Sequence, residues 1–283
     1  MLIFSITISV LSMVFQNCIL NNVCKKELES SEHVYRFNAI SYAVCILLFG
    51  LLTIGGGLSI FTACMGVLFG IVTALANYCK MLSLSNGPMH VTLLITTSSM
   101  ILPALSGIFF GESFSLPKLA IIGILLFFIY LSLDKGDDAK INKLWFLYCS
   151  LAFVLQGSIG ILQKVHQSSE YKSEAGGFLF IAFICSLLYS SLRAKRSYRE
   201  LGFGKKHVIF SVVSGLCIFA MNYLNLKLSG ILPSQLFFPV VNGSAIVLST
   251  LASVFLFKEK LSKKQIIGLC GGFLALIAIC LVP

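Results

Sequence analysis

A chain of 283 residues that is 57% hydrophobic, only 11% charged and has a mean hydropathy of +0.94 carries too few polar side chains to coat a water-soluble globule. Its formal net charge of +10 is not a nucleic-acid footprint, because the lysines and arginines fall in the short segments between apolar runs. The lipid bilayer is therefore the predicted surrounding, with no nucleic acid as partner.

Ten apolar runs follow one another at about 2–22, 37–56, 58–80, 88–111, 117–133, 143–163, 176–193, 207–227, 232–257 and 264–282. Their lengths suit helices crossing ~30 Å of hydrocarbon. They lack the roughly ten-residue alternation of barrel strands. The predicted fold class is an all-α membrane protein of about ten transmembrane helices. The first run has no basic residue before Lys25 and no small-x-small cleavage pattern after it, so it reads as a helix and not a secretory signal. Gly55-Gly56-Gly57 and the segment around Gly230 are connectors so short that their flanking helices must form antiparallel hairpins. The ten cysteines are scattered singly, with no CxxC and no Cys/His pair. They are predicted as small buried packing residues, and neither metal nor cofactor is implied.

The chain also reads twice. At a displacement of about 140 residues Val14-Phe15-Gln16 falls on Val154-Leu155-Gln156, and Cys45 on Cys185. At 145, Gly70 falls on Gly215, Asn77-Tyr78 on Asn222-Tyr223 and Pro88 on Pro233; at 147, Glu112 falls on Glu259 and Ser115 on Ser262. The weight lies in the order of the matches, with only small drifts in displacement. Two units are predicted, 1–134 and 142–283. Each holds five helices, an odd number, so the second enters the membrane in the opposite sense. Inverted repeats of this kind can rock about a midplane site and open to either side in turn.

Arg36 at the start of the second helix, Glu112-Ser113-Phe114-Ser115 after the fourth and Glu259-Lys260-Leu261-Ser262 after the ninth, continuing as Gln265-Ile266-Ile267-Gly268, carry a resemblance to a known family. The chain resembles the EamA-like ten-helix members of the drug/metabolite transporter superfamily over nearly its whole length. The first copy departs from the family run, with Phe114 for Leu, Lys118 for Gln and Ile121 for Gly. The resemblance implies a central cavity surrounded by helices one, three, four, six, eight and nine.

Polar residues inside a membrane helix are costly unless they face a cavity or a partner. On the ninth run Gln235, Asn242 and Ser249 recur every seven residues, hence along one face; on the fourth His90 and Thr97 have the same spacing, and the repeat matches them to Gln235 and Asn242. Asn77 and Lys80 on the third run match Asn222 and Asn225 on the eighth, and Gln16 matches Gln156. The candidate substrate-binding residues are Gln16, Asn77, Tyr78, His90, Thr97, Gln156, Asn222, Tyr223, Gln235 and Asn242. Each has an alternative role as interhelical hydrogen-bond glue. Pro103 and Pro239, inside runs four and nine, are candidate gate hinges or plain packing kinks.

None of the eleven acidic residues falls mid-run, which argues against a proton-coupled antiporter of lipophilic cations built on a buried carboxylate. Glu112 and Glu259, at helix ends near lysines, read as anchors that pair with lysine or cap a helix N-terminus. Seventeen of the 21 lysines and arginines lie in connectors on one side, with Lys80 counted in the third-to-fourth connector; Lys118, Lys164, Lys172 and Lys227 lie on the other. The positive-inside rule then puts both termini outside the cell, whereas the family's usual arrangement has both in the cytoplasm. The expected function is a secondary transporter of a small polar or zwitterionic metabolite such as an amino acid, in the plasma membrane. The alternatives are efflux of lipophilic or quaternary amines and an intramembrane enzyme; the sequence has no HExxH, no GxSxG and no acidic pair within a run.

Overall fold

In hydrocarbon every backbone N–H and C=O must find its partner within the chain, and a helix does this segment by segment. The computed structural model describes residues 2–26, 31–54, 56–87, 89–112, 115–131, 143–194, 204–258 and 261–282. Among these the helices are α1 (Leu2–Lys26), α2 (Ser31–Thr53), α3 (Ile60–Asn86), α4 (Met89–Thr97), α5 (Ile101–Ser106), α6 (Leu116–Leu131), α7 (Lys143–Gln167), α8 (Ala175–Arg193), α9 (Lys205–Ser229), α10 (Ser234–Phe257) and α11 (Lys263–Leu281). Nine spans of the described residues are long and apolar enough to cross a membrane, one of them the composite Val91–Phe110; α6 holds a shorter apolar stretch, Leu116–Phe128. By helix length and composition the chain is a multi-pass membrane protein. Ile54, Ile60, Phe109 and Phe255 all stand outward, Phe109 with 87% of its surface exposed.

The fourth run is not one continuous helix. Between α4 and α5 the backbone tightens into a 3-10 turn at Ser98–Met100, and a second, Gly107–Phe110, follows α5. Pro103 offers no N–H and crowds the carbonyl one turn before it. Thr96 Oγ1 donates to the carbonyl oxygen of Thr92 at 2.9 Å, and the Thr97 hydroxyl to that of Leu93. Such back-bonding together with the proline loosens the α-helical ladder. Gly111 then ends the run with φ +71°, in the left-handed region that glycine enters without steric cost. Pro239, by contrast, lies buried inside a continuous α10.

α2 packs on α8 and α9, α3 on α7 and α8, α1 on α9 and α10, α6 on α11, and the α4–α5 span on α7 and α10. Helix crossings bring backbones into contact. A Cβ on Gly70 of α3 would meet the carbonyl oxygen of Ala182 at 2.1 Å, and one on Gly215 of α9 that of Ser41 at 2.6 Å. Small residues permit such approach where hydrocarbon supplies no hydrophobic drive between helices. Phe49, Phe69, Phe178 and Phe183 fill the core between α2, α3 and α8; Phe237, Phe238, Val241 and Leu276 fill a second around α10 and α11. The nine described cysteines are free thiols, but Cys64, Cys270 and Cys280 are exposed rather than buried, because they fall on the outward faces of α3 and α11.

Candidate functional site

The polar side chains of six spans converge on a cavity of about 90 Å³. α3 supplies Thr73, Asn77 and Lys80, which share a face at spacings of four and three. α1 adds Met13 and Asn17, α7 adds Gln156 and Gln163, and α9 adds Asn222 and Asn225. Phe237, Phe238 and Asn242 come from α10. The loosened fourth span contributes Thr96, Thr97, Ser99 and Pro103, so irregular backbone occurs where it lines a cavity.

Neighbouring groups hold the amides still. Asn77 Nδ2 donates to the Tyr42 hydroxyl at 2.8 Å, and Asn222 and Asn242 donate to the carbonyl oxygens of Ile218 and Phe238 on their own helices, both at 2.9 Å. Asn225 Oδ1 accepts from Ser9 Oγ. Lys80 Nζ donates to Asn17 Oδ1 at 2.6 Å, and Asn17 Nδ2 donates to Ser249 Oγ at 3.0 Å. Thr73 Oγ1 is buried with no hydrogen-bond partner.

Five of the residues predicted to bind substrate line this cavity: Asn77, Thr97, Gln156, Asn222 and Asn242; Pro103 forms part of its wall. Four do not. Tyr78 stacks on Tyr35 with ring centres 4.6 Å apart and meets Tyr148 edge-on, while Tyr223 stacks on Phe219 with Lys227 Nζ 6.0 Å from its ring centre. Successive residues of a helix point about 100° apart, so an Asn-Tyr pair does not turn both side chains into one cavity. The same rotation explains Gln16, which is buried beside the cavity while its neighbour Asn17 faces in. Pro239 also lies off the lining, and the side chain of His90 lies outside the described residues.

Gln235 is the fourth, and its role is explained by a departure noticed in the sequence. At the start of α11, Ser262 Oγ accepts from the backbone N–H of Gln265 and Gln265 Oε1 accepts from that of Ser262 at 2.7 Å, a reciprocal capping box. The equivalent position before α6 has Lys118 where Gln265 stands, and an ammonium cannot accept a hydrogen bond. Gln235 of α10 supplies the missing acceptor, its Oε1 3.3 Å from the backbone N of Ser115. The Leu-Ser-x-x-Gln part of the family-like run thus serves a helix end and not the cavity. Glu259 lies outside the described residues.

Glu112 is an anchor that reaches across the molecule. It pairs with Lys164 and accepts from the backbone N–H of Ser234 at 2.7 Å and its hydroxyl at 3.1 Å, capping α10. Lys164 belongs to α7 and not to a connector, and donates to the carbonyl oxygen of Ser229 at 2.9 Å. Nearby at the same end of the bundle Glu174 accepts from the backbone N–H and hydroxyl of Ser59 at the start of α3, at 2.9 and 2.8 Å. Phe237 and Phe238, about one turn into α10 from the capped Ser234, line the cavity.

Asn17, Thr73, Thr96, Ser99 and Gln163 were not among the predicted site residues. Thr73 was within reach of pattern reasoning, since it extends the Asn77 face back by four residues. Lys80, the last residue of the third run and counted with the connector after it, lies six residues inside α3, which continues to Asn86.

No protein family and no curated protein matches this sequence. A solved structure described only as "Crystal structure of protein" is 16% identical to it and superimposes with a TM-score of 0.72 over 99% of this chain and 99% of its own. At that identity the likeness speaks for the fold alone.

Proposed function

We propose that this chain is a carrier and not an enzyme: a secondary transporter of a small polar or zwitterionic metabolite such as an amino acid, working by alternating access in the plasma membrane. Its two five-helix units, 1–134 and 142–283, form an inverted repeat of the EamA-like drug/metabolite type. The observation that carries the reading is the cavity itself. Neutral amides and hydroxyls from both units converge there, at membrane depth, where polar groups are retained for substrates or partners.

The helix crossings support the repeat. Gly70 and Cys185 meet where α3 crosses α8, and their sequence counterparts Gly215 and Cys45 meet where α9 crosses α2, Cys45 Sγ donating to the Gly215 carbonyl oxygen at 3.3 Å. The contacts of α3 with α7 and of α1 with α9 exchange in the same way when the units are swapped. The volume of about 90 Å³, well under the ~300 Å³ at which drug-sized sites begin, favours a small metabolite over lipophilic amine efflux. On this reading the clamp of Glu112, Lys164, Ser229 and Ser234 closes one end and access is from the other. That other end carries the basic connectors, which by the positive-inside rule is the cytoplasmic one; moving Lys80 and Lys164 from connectors to helices takes one residue from each side and leaves the bias standing.

The test is uptake of a panel of amino acids and small polar metabolites into proteoliposomes. An Asn222→Leu/Asn242→Leu variant is expected to lose the uptake that the intact protein supports. Equal uptake by both would remove the cavity from the transport path, and selective uptake of quaternary amines would favour drug efflux.

A further inference from the structure

Resting on the carrier reading, we infer that His166 is a proton-binding site, its charge steadied by Glu174 through Ser59 and Thr62, and that a proton there releases the clamp of Glu112 and Lys164. His166 stands in the last turn of α7, is fully buried and is absent from the cavity lining. Its ring lies on that of Phe178 with centres 4.3 Å apart. Gln167 Nε2 is 3.3 Å from His166 Nδ1 and donates to the carbonyl oxygen of Lys172 at 3.4 Å. An amide nitrogen cannot accept, so Nδ1 must, and the ring proton sits on Nε2, 3.4 Å from Thr62 Oγ1. The imidazole is therefore neutral in this conformation, with its basic nitrogen covered by a donor.

The other nitrogen is tied to a charge. The Thr62 and Ser59 hydroxyls are 3.0 Å apart, and Ser59 Oγ donates to Glu174 Oε2 at 2.8 Å. This chain fixes the Nε2–H tautomer and leads from the buried ring to a partly exposed carboxylate, whose charge favours an imidazolium. The charged groups acting on His166 from neighbouring elements are Glu174, ahead of α8, which attracts an imidazolium, and Lys227 of α9, which repels it. α3 faces it with the Thr62 hydroxyl and α8 with the Phe178 ring. Lys164, two residues earlier on α7, is bound to Glu112.

Protonating Nδ1 sets two donors face to face, so the Gln167 amide must turn its oxygen toward the ring. The turn gives up the bond to Lys172 and pulls Oε1 off Gly230, where it lies so close that a Cβ would meet it at 2.9 Å. Gly230 is the C-cap of α9. It follows Ser229, whose carbonyl holds Lys164, and leads in four residues to Ser234, whose N–H and hydroxyl hold Glu112. Gln167 thus connects the imidazole to the segment on which the clamp is built. Protons bind a conformation with Nδ1 uncovered better than this one, so acid shifts the population toward release.

The experiment reads amide hydrogen exchange over residues 227–236 of the purified protein at about pH 8 and about pH 6, values that bracket an ordinary histidine, corrected for the intrinsic pH dependence of exchange. In the intact protein this segment is expected to exchange faster in acid, by up to about tenfold per pH unit, the slope of a single proton. His166→Gln should abolish the response. So should Gln167→Leu, which leaves the imidazole in place and cuts its link to Gly230, whereas Gly230→Ala should give fast exchange at both pH values by displacing Gln167. Glu174→Gln should move the response to lower pH, and a response left where it was would overturn the part given to Glu174. No response in the intact protein, or an equal one in the intact, His166→Gln and Gln167→Leu proteins, would overturn the latch. Proteoliposome uptake of the metabolite panel separates this from the carrier reading. A response that depends on His166 with no uptake of any solute would keep the latch and remove the carrier; uptake with exchange that ignores pH would keep the carrier and remove the latch.

Discussion

Lys164 of α7 and Lys80 of α3 both lie on membrane-spanning helices, and the protein treats them differently. Lys164, with 8% of its side chain exposed, is consumed by structure: an ion pair with Glu112, a carbonyl of α9, and through Glu112 the first turn of α10. Lys80 is partly exposed to the cavity and is held by the neutral oxygen of Asn17. A charge given a carboxylate partner becomes part of the frame, because separating the pair would strand an ion in a medium that cannot solvate it.

Substituting at the two positions should therefore give opposite patterns. The largest expected effect is on the clamp: Lys164→Met should lower stability by about 3 kcal/mol, because it leaves the partly buried Glu112 without its cation, and Lys164→Met/Glu112→Gln should recover part of that loss. Thermal unfolding in detergent measures both, and a single variant within about 1 kcal/mol of the intact protein would show that the clamp is solvent-screened. Lys80→Met, at a position that lines the cavity, should lower uptake more than it lowers stability; a large stability loss with unchanged uptake would reverse the comparison.

The helix ends sharpen it further. Ser262→Ala should cost about 1 kcal/mol by opening the capping box of α11, read from the same unfolding curves. The smallest effect is expected at Gln235. Its Nε2 is buried without a partner, so Gln235→Leu removes an orphan group along with a long hydrogen bond, should stay within about 0.5 kcal/mol of the intact protein and should leave uptake unchanged. A loss of uptake there would return Gln235 to the substrate path.

Much of the helical architecture was legible because it follows from hydropathy over windows of about twenty residues, a property that tertiary contacts do not rearrange. The candidate cavity was legible where one face could be read by spacing. Asn77, Asn222 and Asn242 lie on such faces, and so does Thr73, had the face been followed one turn back. The tyrosines next to the two asparagines were misread because a repeated dipeptide suggests a shared role, whereas a helix sends its two side chains about 100° apart. The third run stops at Lys80, six residues short of the end of α3, for a different reason: a hydropathy run is cut short by the first charge it meets, even when the helix continues past it.

From the sequence alone came the membrane, the approximate extent of the long apolar spans, the doubled pattern of polar positions and the odd capping residue at Lys118, since all of these depend on local composition and spacing; the fifth of the ten expected runs is a shorter apolar helix, leaving nine long spans among the described residues. Only the tertiary structure decided that Lys80 lines the cavity, that Glu112 reaches Lys164 and Ser234, that Gln235 serves the start of α6, and that the fourth span loosens beside the cavity. Each of these depends on which helices are neighbours and how each is rotated about its axis, and a rotation of one residue exchanges a side chain that faces the cavity for one that packs behind it.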